Sequence, residues 1–143
     1  MWLDEVAARL VAQSVGVMGT QALTSNSIFI GSAALIPTGE GADGPYLLLK
    51  DTGGSGSAKT QNNTATERPT GQISTRARSP VAAYDMAKAA YVALGGENGL
   101  FNITLSSVRY LSLVARTMPS DIGLDQEARP MFSFNIDAEK QPS

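Results

Sequence analysis

The chain contains no cysteine and no histidine. The first absence excludes a disulfide framework, a thiolate metal site and a cysteine nucleophile. The second removes the commonest general base, the histidine-based triads and most zinc and iron sites. An enzyme of this composition would have to work with carboxylates, lysine, arginine, tyrosine or serine alone, so the residue inventory points to a binding or structural role. Charge is also scarce. Asp, Glu, Lys and Arg make up 17% of the chain, and the formal net charge is -2. That balance argues against nonspecific nucleic-acid binding over the whole surface, while leaving room for a local basic patch. No apolar run approaches the roughly 20 residues that cross a bilayer. The opening MWLDEVAARL places acid early and lacks the basic start and long apolar middle of a signal peptide. The expected site of synthesis and folding is a cytoplasm.

What is present fits a single domain over residues 1–143, a length that supports its own core. Leu3, Val6, Ala7, Leu10, Val11 and Val15 fall on one helical stripe. Asp4 and Glu5 lie in the first turn, where the helix dipole favours negative charge, and Gly16 and Gly19 mark the end. A short strand is predicted over 27–31, a Gly/Pro-dense loop over 36–45, and a buried strand over 46–50. Residues 51–70 are nearly all small and polar, which predicts a long polar loop with little apolar surface to offset its ordering. Ile73, Thr75 and Ala77 alternate with Gln72, Ser74, Arg76 and Arg78, a strand with one polar face.

The second helix has the clearest limits. Ser79 suits its cap, Pro80 its first position, and Gly95-Gly96 its close. Ala83, Ala87, Ala90 and Leu94 form its stripe, with Tyr84 and Tyr91 flanking as packing residues. Strands follow over 101–105, 108–117 and 132–137. The last two are expected to be antiparallel neighbours joined by PSDIGLDQEARP. Strands gathered in runs favour an α+β fold, a mainly antiparallel sheet with both helices on one face. The two halves follow one loose plan without a residue-level repeat.

The stretch GGSGSAKT at 53–60 is one residue from the phosphate-loop pattern G-x-x-x-x-G-K-[ST], with Ala58 in place of the last glycine. That chemistry needs glycine before the lysine so that backbone amides close on phosphate, a leading strand, and a helix starting at the lysine. Only the strand is present, because TQNNTATERP after Lys59 is poor in helix formers and ends in proline. Asp121, Asp125 and Glu127 lack the alternating oxygens and central glycine of a calcium loop and read more simply as a solvated hairpin loop. Lys59, Arg68, Arg76 and Arg78 make a mildly basic middle. It is either a solvated strand face or a surface for an acidic partner or DNA. No catalytic residue, cofactor or metal ligand emerges.

Several phrases carry a family likeness in order along nearly the whole chain: the WLDEVAARL helix, SIFIG, PYLLLKDTGGSGSAKTQNNTATERP, SPVAAYDMAKAAYVALGG and FSFNIDAEKQPS. Together they resemble siphophage tail terminator or tail-completion proteins, also labelled minor capsid proteins. The resemblance implies a structural virion protein, made in the host cytoplasm, that forms a homo-hexameric ring. Such a ring caps the tail tube protein and joins it to the head-tail connector, while DNA passes through its lumen without sequence-specific binding. In that setting Thr52, Gly53, Gly54, Lys59, Asn62, Asn63 and Arg68 are expected in an assembly loop, and Arg76 and Arg78 at a subunit interface. Ring closure requires two different complementary surfaces on each subunit, and sheet edges are natural sites for them. The rival readings are another neck component, such as a connector stopper or tube-like protein, and a small nucleotide-binding cytoplasmic protein.

Overall fold

The computed structural model describes residues 2–19, 26–31, 44–59, 65–125 and 128–141, with backbone alone for 55–59 and 65. Helix α1 (Trp2–Ala12) buries Trp2, Leu3, Val6, Ala7 and Leu10 on the stripe expected of it, with Asp4 and Glu5 in its first turn. It ends in a turn in which the Val15 amide donates to the Leu10 carbonyl (3.0 Å). Gly16 then passes so close to the chain that a Cβ there would lie 2.3 Å from the Asn26 carbonyl oxygen. That approach lets a two-residue strand, β1 (Val17–Met18), pair in parallel with β2 (Ser27–Ile30).

Strand β2 pairs in parallel with β3 (Tyr46–Lys59), and β3 runs antiparallel to β4 (Ala65–Arg76). Helix α2 (Pro80–Ala93) follows. The second half contributes β5 (Leu100–Leu105), β6 (Val108–Ala115), β7 (Ser120–Leu124) and β8 (Pro130–Lys140). The sheet order is β1-β2-β3-β4-β8-β6-β5, and β7 also pairs with β8. Strand β8 is thus central. Its whole length faces β4, while its other edge is shared by β7 and then β6. The fold is mixed α+β and mostly antiparallel, with β6 and β8 paired as expected.

Alternation along the strands places Leu47, Leu49, Ile73, Phe134 and Ile136 in one core with Leu3, Val6 and Leu10 of α1 and Met86, Ala90 and Ala93 of α2. Both helices therefore lie on the same face. Each of the valine, leucine, isoleucine, phenylalanine and methionine side chains among them contributes about 1.5–3 kcal/mol of burial free energy. The alanines of α2 bring its axis close to the sheet, and Tyr84 and Tyr91 pack edge-on against Phe132 and Phe134, with ring centroids 5.5 and 5.7 Å apart. The Ser79 hydroxyl caps α2 by accepting from the Ala82 amide (3.1 Å). Gly95 ends it at φ +96°, a conformation that costs a glycine little. Arg9 Nε donates to the Ala93 carbonyl (3.1 Å), tying the two helices together. Phe29, Tyr46 and Leu48 form a smaller cluster and belong to the alternate positions of β2 and β3.

Three expectations change. Residues 51–59 and 65–70 are not loop but the outer half of the β3–β4 hairpin. A strand gains its stability from cross-strand hydrogen bonds, so a polar, glycine-rich segment becomes strand wherever a partner runs beside it. The segment between β6 and β8 contains β7, which the connection PSDIGLDQEARP concealed. Its positions are all exposed, so no alternation betrays it. The Gly16–Gly19 region, expected only to end α1, also supplies β1.

Candidate assembly surface

The hairpin of β3 and β4 reaches beyond the strands that flank it. Strand β2 accompanies β3 only from Tyr46 to Leu49, and β8 accompanies β4 only as far as Glu67. The register slips between Asp51 and Gly53 and again between Ser55 and Ala58. Gly53 and Gly54 take φ of +100° and +112°, which suits glycine at a bulge. Asp51 stabilises the first slip, with Oδ1 accepting from the Gly53 amide (2.7 Å) and Oδ2 from Trp2 Nε1 (3.4 Å). Thr52 and Thr70 pair through their hydroxyls (2.9 Å).

Of the expected assembly residues, Thr52, Gly53 and Gly54 are exposed on this hairpin, Lys59 lies in its β3 strand, and Arg68 is exposed on β4. Asn62 and Asn63 lie outside the described residues. The near phosphate loop is also located here. Residues 53–59 lie in strand β3 opposite β4, with no phosphate-cradling turn among these described residues.

Arg78 is exposed just before α2, but Arg76 is not on a solvent face. Its side chain is buried, with Nη1 3.5 Å from Asp125 Oδ2 and the guanidinium 5.5 Å from the Tyr46 ring centre. Arg129 Nη1 approaches the same carboxylate oxygen at 3.7 Å, and the Arg129 amide donates to Asp125 Oδ1 (2.8 Å). Asp125 is therefore an anchor for two buried arginines. Asp121 accepts from the Gly123 amide (2.7 Å) in a local turn, and Glu127 lies outside the described residues.

A second charged cluster had no sequence signal. Lys140 is fully buried, with Nζ 3.6 Å from Glu5 Oε1 and 3.3 Å from Glu67 Oε2. Tyr110 donates its hydroxyl to Glu5 Oε1 (2.7 Å) and lies with its ring beside the Lys140 ammonium. Burial, then the hydrogen bond and charge of Glu5, push the Tyr110 phenol well above its ordinary range. The hydrogen-bonded pairs of this cluster stand 73 and 105 positions apart in sequence, so only the topology assembles them. On the opposite face, Arg68, Thr70, Ser112, Val114, Asp137 and Glu139 line an open trough of about 340 Å³. Two of its carboxylates form ion pairs, Glu139 with Arg68 at 3.6 Å and Asp137 with Arg116 at 3.2 Å.

Large apolar side chains stand exposed on the strand edges: Val17 and Met18 on β1, Phe101 on β5, Ile122 and Leu124 on β7. Exposed edges carrying apolar side chains invite pairing with another chain. Together with a projecting two-strand hairpin, they define a small α+β subunit built for association. The family is shown by a match of the family described as "Bacteriophage tail terminator protein" to residues 10–142. The chain belongs to that family and is a structural protein of the phage virion, of its tail and neck. In fold it is similar to a chain of the structure titled "Virion of native gene transfer agent (GTA) particle", with a TM-score of 0.60 and 18% identity over 96% of this chain and 94% of that one. No curated protein matches the chain. No helix among the described residues is long and apolar enough to cross a membrane.

Proposed function

We propose that six copies of the chain form a closed ring that stops the growing tail tube and joins it to the head-tail connector. The observation that carries this reading is the family match across residues 10–142. The exposed strand edges supply candidates for the two different faces that a head-to-tail ring requires. The outer β3–β4 hairpin, with Thr52, Gly53, Gly54, Lys59 and Arg68, is assigned to contact a neighbouring subunit, the tube protein or the connector. Arg78 is assigned to an interface, whereas Arg76 serves it only indirectly, by holding β4 to Asp125. DNA passes through the lumen, and no sequence-specific contact is required of the ring. The ring acts through shape and surface without covalent chemistry, which agrees with a chain that has neither histidine nor cysteine.

Phage lacking this protein test the reading by electron microscopy. The expected particles start tail tubes but fail to stop them at one length and fail to attach them to heads. Normal-length tails on filled heads would overturn the assignment. Complete absence of tails would overturn it in favour of a tube subunit.

A further inference from the structure

The β4–β8 ladder is broken at one place. Thr70 pairs with Asp137 and Glu67 with Lys140 in one continuous register, but Arg68 and Pro69 between them have no paired partner in the ladder. Proline has no amide to give to a ladder, so the break has a local cause. Across from it on β3 stand Gly53 and Gly54, paired with Thr70 and Pro69, both left-handed and both beside a register slip. Gly54 is also packed against this point, since a Cβ there would lie 2.3 Å from the Arg68 carbonyl oxygen. Both strands of the hairpin are therefore weak at the same level.

Side chains bridge the break in the backbone. Glu67 and Arg68 are consecutive and opposite in charge, and their partners Lys140 and Glu139 are consecutive and opposite in charge. Neighbouring residues of a strand point to opposite faces. Glu67–Lys140 (3.3 Å) consequently lies on the helix face, and Arg68–Glu139 (3.6 Å) on the trough face. Lys140 keeps Glu5 as a second carboxylate at 3.6 Å, so loss of Glu67 does not strand its charge. The Glu67 side chain is 42% exposed and Arg68 52%, whereas Lys140 is wholly covered. The fixed half of the clasp belongs to β8 and the exchangeable half to the hairpin.

We propose that the outer β3–β4 hairpin is a hinged arm, bending at Gly53–Gly54 and clasped to the end of β8 by two ion pairs of opposite polarity on its two faces. The clasp sets the arm's angle in the free subunit. This property belongs to the isolated chain and stands or falls independently of ring formation.

Hydrogen exchange on the purified full chain tests it. In Glu67→Gln/Arg68→Ala, amides of 55–59 and 65–66 are expected to exchange about tenfold faster, while those of 71–76 and 131–136 keep their wild-type rates. Unchanged exchange in the arm, or equal acceleration throughout the sheet, would overturn the proposal. The partly exposed pair provides a second arm of the test that leaves the core alone. Arg68→Glu and Glu139→Arg should each accelerate arm exchange, and the two together should restore it. A double variant no slower than the singles would also sink the idea.

Discussion

The Tyr110 hydroxyl donates a 2.7 Å hydrogen bond to Glu5 Oε1, joining strand β6 to the first turn of helix α1 across 105 residues of sequence. The bond is buried and its acceptor carries charge, so it belongs to the stronger class of protein hydrogen bonds. Tyr110→Phe should lower unfolding free energy by about 1.5–3 kcal/mol in a urea titration, with the slope unchanged.

The same pair yields a pH dependence with a defined sign. The folded state holds the phenolic proton above the ordinary value of 10.0, because burial and Glu5 oppose the anion. The unfolded chain releases that proton near its ordinary value, so the contribution is full below pH 10 and is lost as pH rises beyond it. Wild-type stability should therefore fall by up to roughly 1.4 kcal/mol per pH unit above pH 10 through this group. Tyr110→Phe should remove that share of the slope, which alkaline denaturation curves would reveal.

Lys140 compensates buried Glu5 and the hairpin's Glu67 at once. Removing it leaves a buried carboxylate without its cation. Lys140→Met should cost about 3–5 kcal/mol despite keeping the apolar volume. Thermal denaturation that places this variant within about 1 kcal/mol of wild type would mean that the cluster contributes little to stability.

Arg76 and Arg78 should separate sharply. Arg76→Glu puts a carboxylate against Asp125 in a buried site and removes one of that residue's two arginines. The monomer itself should be destabilised, by about 3 kcal/mol or more. Arg78→Glu, at an exposed position, should destabilise the monomer distinctly less than Arg76→Glu. The main effect of Arg78→Glu should appear in assembly, as fewer tails joined to heads.

The two hinge glycines should also differ. Both have positive φ, but a Cβ at Gly53 meets nothing within 4 Å, whereas one at Gly54 meets the backbone of Arg68 and Pro69. Gly53→Ala should cost about 1 kcal/mol from backbone conformation alone, and Gly54→Ala distinctly more. Chemical denaturation of both variants would rank them.

The sequence by itself determined what depends on near neighbours. The limits of α2 follow from Ser79, Pro80 and Gly95, because caps act within one turn. The core strands around Leu47, Ile73 and Phe134 were legible because each carries its own apolar alternation. The absence of histidine and cysteine bounded the chemistry without any structure, and quoted phrases from WLDEVAARL to FSFNIDAEKQPS placed the family. Tertiary structure alone decided which polar segments are ordered and which charges are buried. Residues 51–59 and 65–70 carry no strand pattern, yet they become paired strands because their backbone groups lie beside each other in the fold. Arg76 looks like any outward arginine until β7 and the chain after it bring Asp125 and Arg129 over it. Lys140 looks like a frayed terminus until α1 and β4 supply two carboxylates. Local preferences are set by steric fit within a few residues. The hydrogen-bond partner of a strand, and the counter-charge that makes burial tolerable, arrive from anywhere the fold brings them.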